Sequence, residues 1–422
     1  MAQYAAPRGT LDVLPEDQPY WRYVTDRAHY IAQLYGFQQI GVPMFEATGL
    51  FVRGVGAGTD IVDKEMYSFQ DKGGEEIALR PEFTASIVRA YIQHGMHTLP
   101  QPVKLYAIGP IFRYERPQAG RYRQHTQFNV EAFGEQDAAL DAEIMEVARH
   151  LYADLGFGGL SFQVNSTGCP NCRPQYIALL TEHYRQHIGE ICDDCKRRLE
   201  RNPLRVLDCK SEGCQPVIEQ APHIADYLCD ECATHFDKLQ RYLRALGRSF
   251  TVQHRLVRGL DYYTKTVFEV WAADIGAQAA VCGGGRYDGL VELLGGSPAP
   301  GIGFGSGIER IILAMKAQGL AVPTLPRPRV LIAALGDEPK VAAIRLLAEL
   351  RDSGLASVLA FGDRSLRSQL REAGKQAVQY ALILGEDELR KSQVVVRDMQ
   401  SSEQQSVPMA GLAAWLKERM SA

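Results

Sequence analysis

The stretch FRYERPQAGRYRQHTQFNVEAF, residues 112–133, decides the fold of the chain more than any other segment. Within residues 103–133 the pattern predicts two strands joined by the loop ERPQAGRYRQ, which is too polar to belong to a core. The stretch holds four arginines, and each guanidinium offers paired donors for phosphate oxygens. The hairpin is therefore a candidate triphosphate site, although a solvated basic hairpin explains the same spacing.

Three further motifs lie outside this hairpin: RGLDYYTKTVFE at 258–269, GGGRYDGLVELLGG at 283–296 and GFGSGIERIIL at 303–313. The first predicts a strand with side chains on both faces. The glycine run of the second predicts either a tight turn or a close approach of the backbone to another group. Neither glycine-rich motif is a dinucleotide fingerprint, and no Gly-Lys-Ser/Thr triplet indicates a P-loop.

The composition changes along the chain and suggests several domains. Cysteine, charge and helix-forming residues rise together in an inserted, mostly helical segment, and strand-like patterns then return. The proline cluster VPTLPRPR is typical of a linker, and the βαβα pattern after it predicts a compact α/β domain. The expected boundaries are 1–167 and 251–322 for a split first domain, 168–250 for the insertion, 323–328 for the linker and 329–422 for the last domain.

Overall composition excludes several classes of protein. The 422 residues are 46% apolar and 23% charged, which excludes general disorder. No run of 18 apolar residues predicts a membrane span, and the first residues lack the pattern of a secretory signal, so a cytoplasmic location is expected. A net charge of −4 argues against a generally basic nucleic-acid binder but leaves room for a local basic patch.

Eight of the nine cysteines form four close pairs in the inserted segment. Two such pairs complete a tetrahedral thiolate site, so the four pairs could hold two zinc ions, and metal is favoured over disulfides in a cytoplasmic protein. Reduced, metal-free cysteines are the alternative. Because cysteines would fill all four coordination positions of each ion, the zinc would be structural. The ninth cysteine, Cys282, is interpreted as a small apolar residue. The pairs are Cys169 with Cys172, Cys192 with Cys195, Cys209 with Cys214, and Cys229 with Cys232.

In their order along the chain, these motifs resemble the class II aminoacyl-tRNA synthetases, and among them the histidyl-tRNA synthetases. The segments PRGTLDVLP, LRPEFTASIVRA, LERNPLRVLD and GIGFGSGIERIIL add to this resemblance, which extends over nearly the whole chain. It implies an α+β catalytic domain with a mainly antiparallel sheet, a helical insertion and a C-terminal α/β anticodon-binding domain. It also implies a homodimer that uses ATP with Mg²⁺, L-histidine and tRNA(His).

The resemblance assigns ATP-binding roles to individual residues. Arg113 is expected to grip the α-phosphate and Arg258 to supply a second cation opposite it, which makes these two the expected catalytic residues. Glu115 is expected to face the adenine amino group, and Arg121 and Arg310 to hold the triphosphate tail. His125 stands where many relatives carry a phenylalanine that stacks on adenine, and it is expected to stack more weakly and to titrate near neutral pH.

The remaining assignments concern histidine and tRNA. Glu82 and Thr84 are expected to hold the substrate ammonium group, Gln127 to lie near the amino-acid backbone, and Glu131 and Tyr263 to bind the imidazole nitrogens. Arg258 and Tyr262 are also expected near histidine. For Tyr262 and Tyr287, however, a role as core aromatic residues is an equal alternative to a role in the site. Gln118 is expected to approach the 5′ end of the tRNA.

Two other functions fit parts of the sequence. A synthetase-like regulatory subunit of ATP phosphoribosyltransferase would lack the ATP-binding arginines and the last domain, and this chain keeps both. A zinc-stabilised RNA-binding protein would bind nucleic acid but would not catalyse exchange of pyrophosphate with ATP. The insertion is expected to be separate from the catalytic sheet, so loss of metal is expected to spare adenylate formation and to lower aminoacylation.

Overall fold

The structure, a computed structural model, describes residues 4–116, 120–273 and 280–421. The chain forms two compact units, Met1–Pro323 and Thr324–Ala422, and each has its own hydrophobic core. The division falls in the proline-rich stretch. Among the described residues, no helix has the length and apolar character that a membrane span requires.

Eleven strands are described in the first unit. In chain order they are β1 (Gln38–Gln39), β2 (Phe45–Ala47), β3 (Ser68–Gln70), β4 (Glu76–Leu79), β5 (Val103–Phe112), β6 (Gln124–Phe133), β7 (Ser161–Ser166), β8 (Phe250–Val252), β9 (Thr264–Trp271), β10 (Ala280–Arg286) and β11 (Gly301–Gly307). Eight of them form one sheet in the order β1-β5-β6-β11-β10-β9-β7-β8, while β2, β4 and β3 form a small separate sheet. Neighbours from β5 to β7 are antiparallel, and the edge strands β1 and β8 pair in parallel. The prediction of a mainly antiparallel sheet is confirmed.

The helices of the first unit are α1 (Gln18–Leu34), α2 (Thr48–Val55), α3 (Thr84–Gln93), α4 (Ala138–Asp154), α5 (Arg173–Gln186), α6 (Asp193–Arg201), α7 (Gln215–Glu219), α8 (Asp230–Ala245), α9 (Leu290–Leu293) and α10 (Ile308–Ala317). Apolar side chains of α1, α4, α8 and α10 form one core with the sheet residues Phe128, Val130 and Phe304. A second core joins α3 and α9 to Phe133 and Tyr263. The main sheet is thus buried by helices on one face and only partly covered on the other.

The cysteine-rich segment divides between two cores. Side chains of α5, α6 and α7 pack with four of its cysteines around Leu180 and Val206. Helix α8 instead inserts Phe236, Leu239 and Leu243 into the main core, where it packs against α4. The segment is therefore anchored to the main sheet at its C-terminal end by ordinary apolar burial.

The second unit contains a five-stranded sheet. Its strands are β12 (Val330–Ala334), β13 (Ser357–Leu359), β14 (Tyr380–Leu384), β15 (Gln393–Asp398) and β16 (Gln404–Pro408), and its helices are α11 (Asp337–Asp352), α12 (Leu366–Lys375), α13 (Glu386–Arg390) and α14 (Leu412–Ser421). The order is β13-β12-β14-β15-β16, with parallel pairing at β12 and antiparallel pairing at β15. The predicted α/β pattern is confirmed. Strand β16 was not predicted, because its sequence QQSVP is a mostly exposed edge without apolar alternation.

Candidate active site

Two adjoining cavities open on the partly covered face of the main sheet. The larger, of about 500 Å³, is lined by seven of the expected site residues: Arg113, Glu115, Arg121, His125, Gln127, Arg258 and Arg310. The smaller, of about 50 Å³, is lined by Glu82, Thr84, Tyr262, Tyr263 and Tyr287. The two cavities share Arg113, Gln127, Gly283 and Gly305, so together they form one continuous site. Gln118 lies outside the described residues.

Strand alternation brings the polar residues of β6 to this face. Phe128, Val130 and Ala132 point into the main core, so the intervening Gln127, Asn129 and Glu131 point the other way. In the register with β11, Gly303 lies opposite Glu131 and Gly305 opposite Asn129. The row of glycines therefore runs beside the row of polar side chains.

Glycines make room for the functional side chains. A Cβ atom at Gly283 would lie 2.5 Å from Nη1 of Arg258, and one at Gly303 would overlap the Glu131 carboxylate. The run 283–285 lies within strand β10, so the interpretation as a tight turn is wrong and that of close backbone approach is confirmed.

Glu131 is almost completely buried and does not itself line the small cavity, but it lies directly behind three residues that do, Thr84, Asn129 and Tyr287. Its Oε1 accepts hydrogen bonds from Thr84 Oγ1 at 2.5 Å and from Asn129 Nδ2 at 2.6 Å, and its Oε2 accepts one from the Tyr287 hydroxyl. Burial raises the pKa of Glu131 to about 7, and the hydrogen bonds oppose this rise. Asn129 was missed in the sequence, although its position between Gln127 and Glu131 at a spacing of two was a usable signal.

Glu82 is the second buried carboxylate of the small cavity. It accepts hydrogen bonds from the backbone N–H groups of Thr84 at 2.6 Å and Ala85 at 2.7 Å, at the N-terminus of α3. Burial raises the pKa of Glu82, while these bonds oppose the rise. The helix terminus thus holds a carboxylate in the wall of the small cavity.

Tyr262, Tyr263 and Tyr287 form a continuous aromatic wall. The ring centroids of Tyr262 lie 4.8 Å from Tyr263 and 5.6 Å from Tyr287. Tyr287 donates its hydroxyl hydrogen bond to Glu131, so it belongs to the carboxylate's surroundings as well as to the core.

The arginines of the large cavity are anchored individually. Arg113 donates from Nε to the carbonyl of Pro81 at 2.7 Å, and Arg258 donates from Nη1 to Glu269 at 2.8 Å. Arg310 donates from Nη2 to the carbonyl of Ala280 at 2.9 Å, while the exposed Arg121 lies 3.8 Å from Glu115. Side chains held in this way present guanidinium groups to a bound anion without a large loss of conformational freedom.

His125 lies in the wall of the large cavity and donates a hydrogen bond from Nδ1 to the carbonyl of Tyr122 at 3.2 Å. Burial, together with the charge of Arg113, lowers the pKa of His125 to about 4. The expectation that this ring titrates near neutral pH is therefore wrong. A neutral imidazole faces the cavity instead.

Glu309, in the first turn of α10, is an additional carboxylate of the large cavity. Its Oε1 accepts a hydrogen bond from the Thr126 N–H at 2.7 Å, which ties α10 to β6. Burial raises the pKa of Glu309 to about 7. The sequence placed Glu309 beside Arg310, but nothing local indicated that it would be buried.

The eight paired cysteines gather into two clusters, each of which could hold a metal ion. We name them the first cluster (Cys169, Cys172, Cys229 and Cys232) and the second cluster (Cys192, Cys195, Cys209 and Cys214). Within each cluster all sulfurs lie within 4.8 Å of one another. Contacts of 3.7–3.9 Å between neighbouring sulfurs are far longer than a disulfide bond of about 2 Å.

Known proteins match this chain along its whole length. A family profile described as histidyl-tRNA synthetase matches residues 9–311, and one described as an anticodon binding domain matches residues 329–419. A histidine–tRNA ligase of Dehalococcoides mccartyi is 52% identical over 417 residues, which cover 99% of this chain and 100% of that protein. Another, of Desulforamulus reducens, is 49% identical over 413 residues, covering 98% and 99%.

A solved structure gives the same picture. The apo histidyl-tRNA synthetase of S. aureus matches with a TM-score of 0.82 and 36% identity, over 98% of this chain and 99% of that one. The family match spans most of the first unit and includes the residues that line the two cavities. The chain therefore belongs to the histidyl-tRNA synthetase family.

Proposed function

We propose that the protein is a histidine–tRNA ligase, which joins L-histidine to AMP at the expense of ATP and then transfers histidine to the 3′ end of tRNA(His). One observation carries this proposal: a cavity lined by five arginines adjoins a small cavity, and Arg113 and Gln127 line both. The small cavity is lined by the buried carboxylate of Glu82 and by three residues that hydrogen-bond to a second buried carboxylate, that of Glu131. A triphosphate and a small cationic amino acid would thus meet at one place.

In the first step, a carboxylate oxygen of histidine attacks the α-phosphorus of ATP. The bond from that phosphorus to the oxygen that bridges it to the β-phosphorus breaks, and pyrophosphate leaves. Mg²⁺ on the ATP phosphates would neutralise part of their charge. Arg113 and Arg258 would stabilise the negative charge that develops on the α-phosphate, because fixed cations need no reorganisation at that moment. Arg121 and Arg310 would hold the leaving pyrophosphate, with Glu115 and His125 beside the adenine.

In the second step, a hydroxyl group of the terminal adenosine of tRNA attacks the carbonyl carbon of the adenylate, and AMP leaves. The protein supplies no nucleophile in either step, so its contribution is positioning and electrostatic stabilisation. Gln118 is proposed to approach the 5′ end of the tRNA, and the second unit is proposed to bind the anticodon, as its family match supports.

Selection of histidine would take place in the small cavity. Glu82 and Thr84 would hold the ammonium group and Gln127 the amino-acid backbone, while Glu131 and Tyr263 would bind the two ring nitrogens. A site built from such buried polar groups rejects a substrate without matching donors, because the groups would be left unpaired.

We also propose that each cysteine cluster binds one structural zinc ion. Four sulfurs placed 2.3 Å from a tetrahedral ion lie about 3.8 Å from one another, and the contacts measured within the clusters are 3.7–3.9 Å. Four protein ligands leave no position for substrate, so the ions would stabilise the fold rather than take part in the reaction.

Two further proposals concern assembly and location. We expect a homodimer, because the apolar side chains of Met44, Phe45 and Phe69 are exposed on or beside the small sheet. We also expect a cytoplasmic location. Analytical ultracentrifugation of the full chain would test the dimer.

Exchange of labelled pyrophosphate into ATP, dependent on histidine, is the test of the proposed function. Exchange with histidine but not with other amino acids, followed by histidine transfer to tRNA(His), is the expected result. An RNA-binding protein without catalysis and a regulatory subunit would both give no exchange, and that outcome would refute the proposal.

A further inference from the structure

The segment 201–208, here called the bridging segment, belongs to the cysteine-rich part of the chain and yet forms part of the wall of the large cavity. Its sequence is RNPLRVLD, from a motif to which no function was assigned. Arg205 and Asp208 line the cavity beside Arg258. The cysteine-rich part is thus in direct contact with the catalytic site.

The bridging segment supports the loop 257–261, which carries Arg258. Asn202 donates from Nδ2 to Asp261 at 2.8 Å, and a Cβ atom at Gly259 would lie 2.8 Å from Nη1 of Arg205. Val257, directly before Arg258, packs against the core that contains the second cluster. Contacts on both sides of Arg258 therefore restrict where its guanidinium can lie.

The same segment contacts the wall on the side of the hairpin. Arg205 lies 3.5 Å from the carboxylate of Asp60, and Arg201 donates to Asp63 at 3.0 Å. Asp60 begins the turn Ile61–Glu65, and the carbonyl of Glu65 accepts a hydrogen bond from the Tyr114 N–H at 2.6 Å, directly after Arg113. Arg205 thus joins the two walls that carry the catalytic arginines.

Cysteines of the second cluster hold the bridging segment at both ends. Cys195 lies on α6, which ends at Arg201, and Cys209 follows the segment directly. Two hydrogen bonds connect the segment to its flanking residues: the Cys209 N–H donates to the carbonyl of Val206 at 3.0 Å, and Arg198 of α6 donates to the carbonyl of Arg205 at 3.2 Å. An ion bound by these sulfurs would fix both ends of the segment.

We propose that the bridging segment positions the catalytic arginines for adenylate formation, with Arg205 as its positioning residue. Arg205 acts through Gly259 and Asp60 and sets the separation of the walls that carry Arg258 and Arg113. The reaction concerned is the one given under the proposed function, on which this inference rests. Geometry of this kind matters because a misplacement of about 1 Å can lower a rate by about a hundredfold.

The test compares Arg205→Ala and Arg205→Lys with Arg197→Ala as the matched control. Arg197 is a cation on α6, the helix that leads into the bridging segment, and its exposed side chain pairs with Asp194 and does not line the cavity. For each variant, pyrophosphate exchange gives kcat and the KM values for ATP and histidine, and thermal unfolding shows whether the fold is kept. The wild-type protein must first show exchange; if it does not, the proposed function itself fails.

For Arg205→Ala we expect kcat to fall at least about tenfold while both KM values stay within about threefold, since orientation is lost and ground-state binding is not. Arg205→Lys should recover part of kcat, because its ammonium group can still pair with Asp60. Arg197→Ala should behave as the wild type.

Three outcomes would overturn the inference. The first is an unchanged kcat in Arg205→Ala. The second is a large rise in the KM for ATP at unchanged kcat, which would mean that Arg205 binds the nucleotide directly. The third is an equal loss in Arg197→Ala. If Arg205→Ala fails to fold, Asn202→Ala decides, because it removes the hydrogen bond to Asp261: a lower kcat at unchanged KM supports positioning, and an unchanged kcat overturns it.

Discussion

Replacing Glu131 by glutamine should stabilise the protein above neutral pH and at the same time impair recognition of histidine. The glutamine oxygen can keep the hydrogen bonds from Thr84 and Asn129. Its NH₂ group would then face the Tyr287 hydroxyl, which can turn and accept a hydrogen bond instead of donating one. The variant therefore loses the charge while its side-chain oxygen and nitrogen each keep a hydrogen-bond partner.

The magnitude follows from the pKa of Glu131. Burial raises this pKa from the ordinary value of 4.5 to about 7, so the folded protein binds the proton more tightly than the unfolded chain. Stability therefore falls as the pH rises from about 4.5 to 7, by about 3 kcal/mol in total. Glu131→Gln removes this loss, so its advantage over the wild type should be small at pH 5 and reach about 3 kcal/mol at pH 8.

Urea unfolding at pH 5 and pH 8 measures the difference in stability, with the exposed Glu75→Gln as the control for the substitution itself. Histidine-dependent exchange measures function. The variant loses the charge on the group that is proposed to bind a ring nitrogen of histidine, and loss of such a hydrogen bond costs about 1.5–3 kcal/mol. The KM for histidine should therefore rise at least about tenfold, while the KM for ATP stays nearly unchanged. The reasoning fails if the variant is less stable than the wild type at pH 8, or if its KM for histidine is unchanged.

Three other predictions concern different parts of the site. Arg258→Ala should lower pyrophosphate exchange by several orders of magnitude, because the proposed role of this cation is to stabilise charge that develops in the transition state. Histidine binding, measured by equilibrium dialysis, should weaken far less, and an exchange rate within a few-fold of wild type would contradict this prediction. Metal analysis of protein purified without chelator should find two zinc ions per chain and one in Cys192→Ser, whereas reduced, active protein without zinc would refute the metal sites. Because the pKa of His125 is about 4, its ring stays neutral from pH 6 to 8. The KM for ATP should therefore show the same pH profile in the wild type and in His125→Phe, and an inflection near pH 6.5 in the wild type alone would argue against this.

The expectation that loss of metal would spare adenylate formation needs correction. It assumed that the inserted segment is separate from the catalytic sheet, but Arg205 and Asp208 line the cavity itself. Loss of the ion from the second cluster should therefore lower adenylate formation as well. Exchange by Cys192→Ser, compared with Cys229→Ser in the first cluster, measures this effect.

The sequence alone determined features that depend on neighbours along the chain. The hairpin strands, the helices α1 and α4 and the cysteine pairs follow from spacings of two to five residues, and the structure confirms these elements. Alternation within QFNVE also places Gln127 and Glu131 on one face of β6. Such signals are local, because hydrogen-bonded turns and strand alternation involve residues only a few positions apart.

Only the tertiary structure decided what lies next to what across the chain. It joins Cys169 and Cys172 to the pair at 229 and 232, and it brings Tyr287 to Glu131 although 156 residues separate them. It also lowers the pKa of His125 by burying the ring near Arg113. Burial, electric field and contact all depend on the packing of distant segments, and this packing has no signature within a short stretch of sequence.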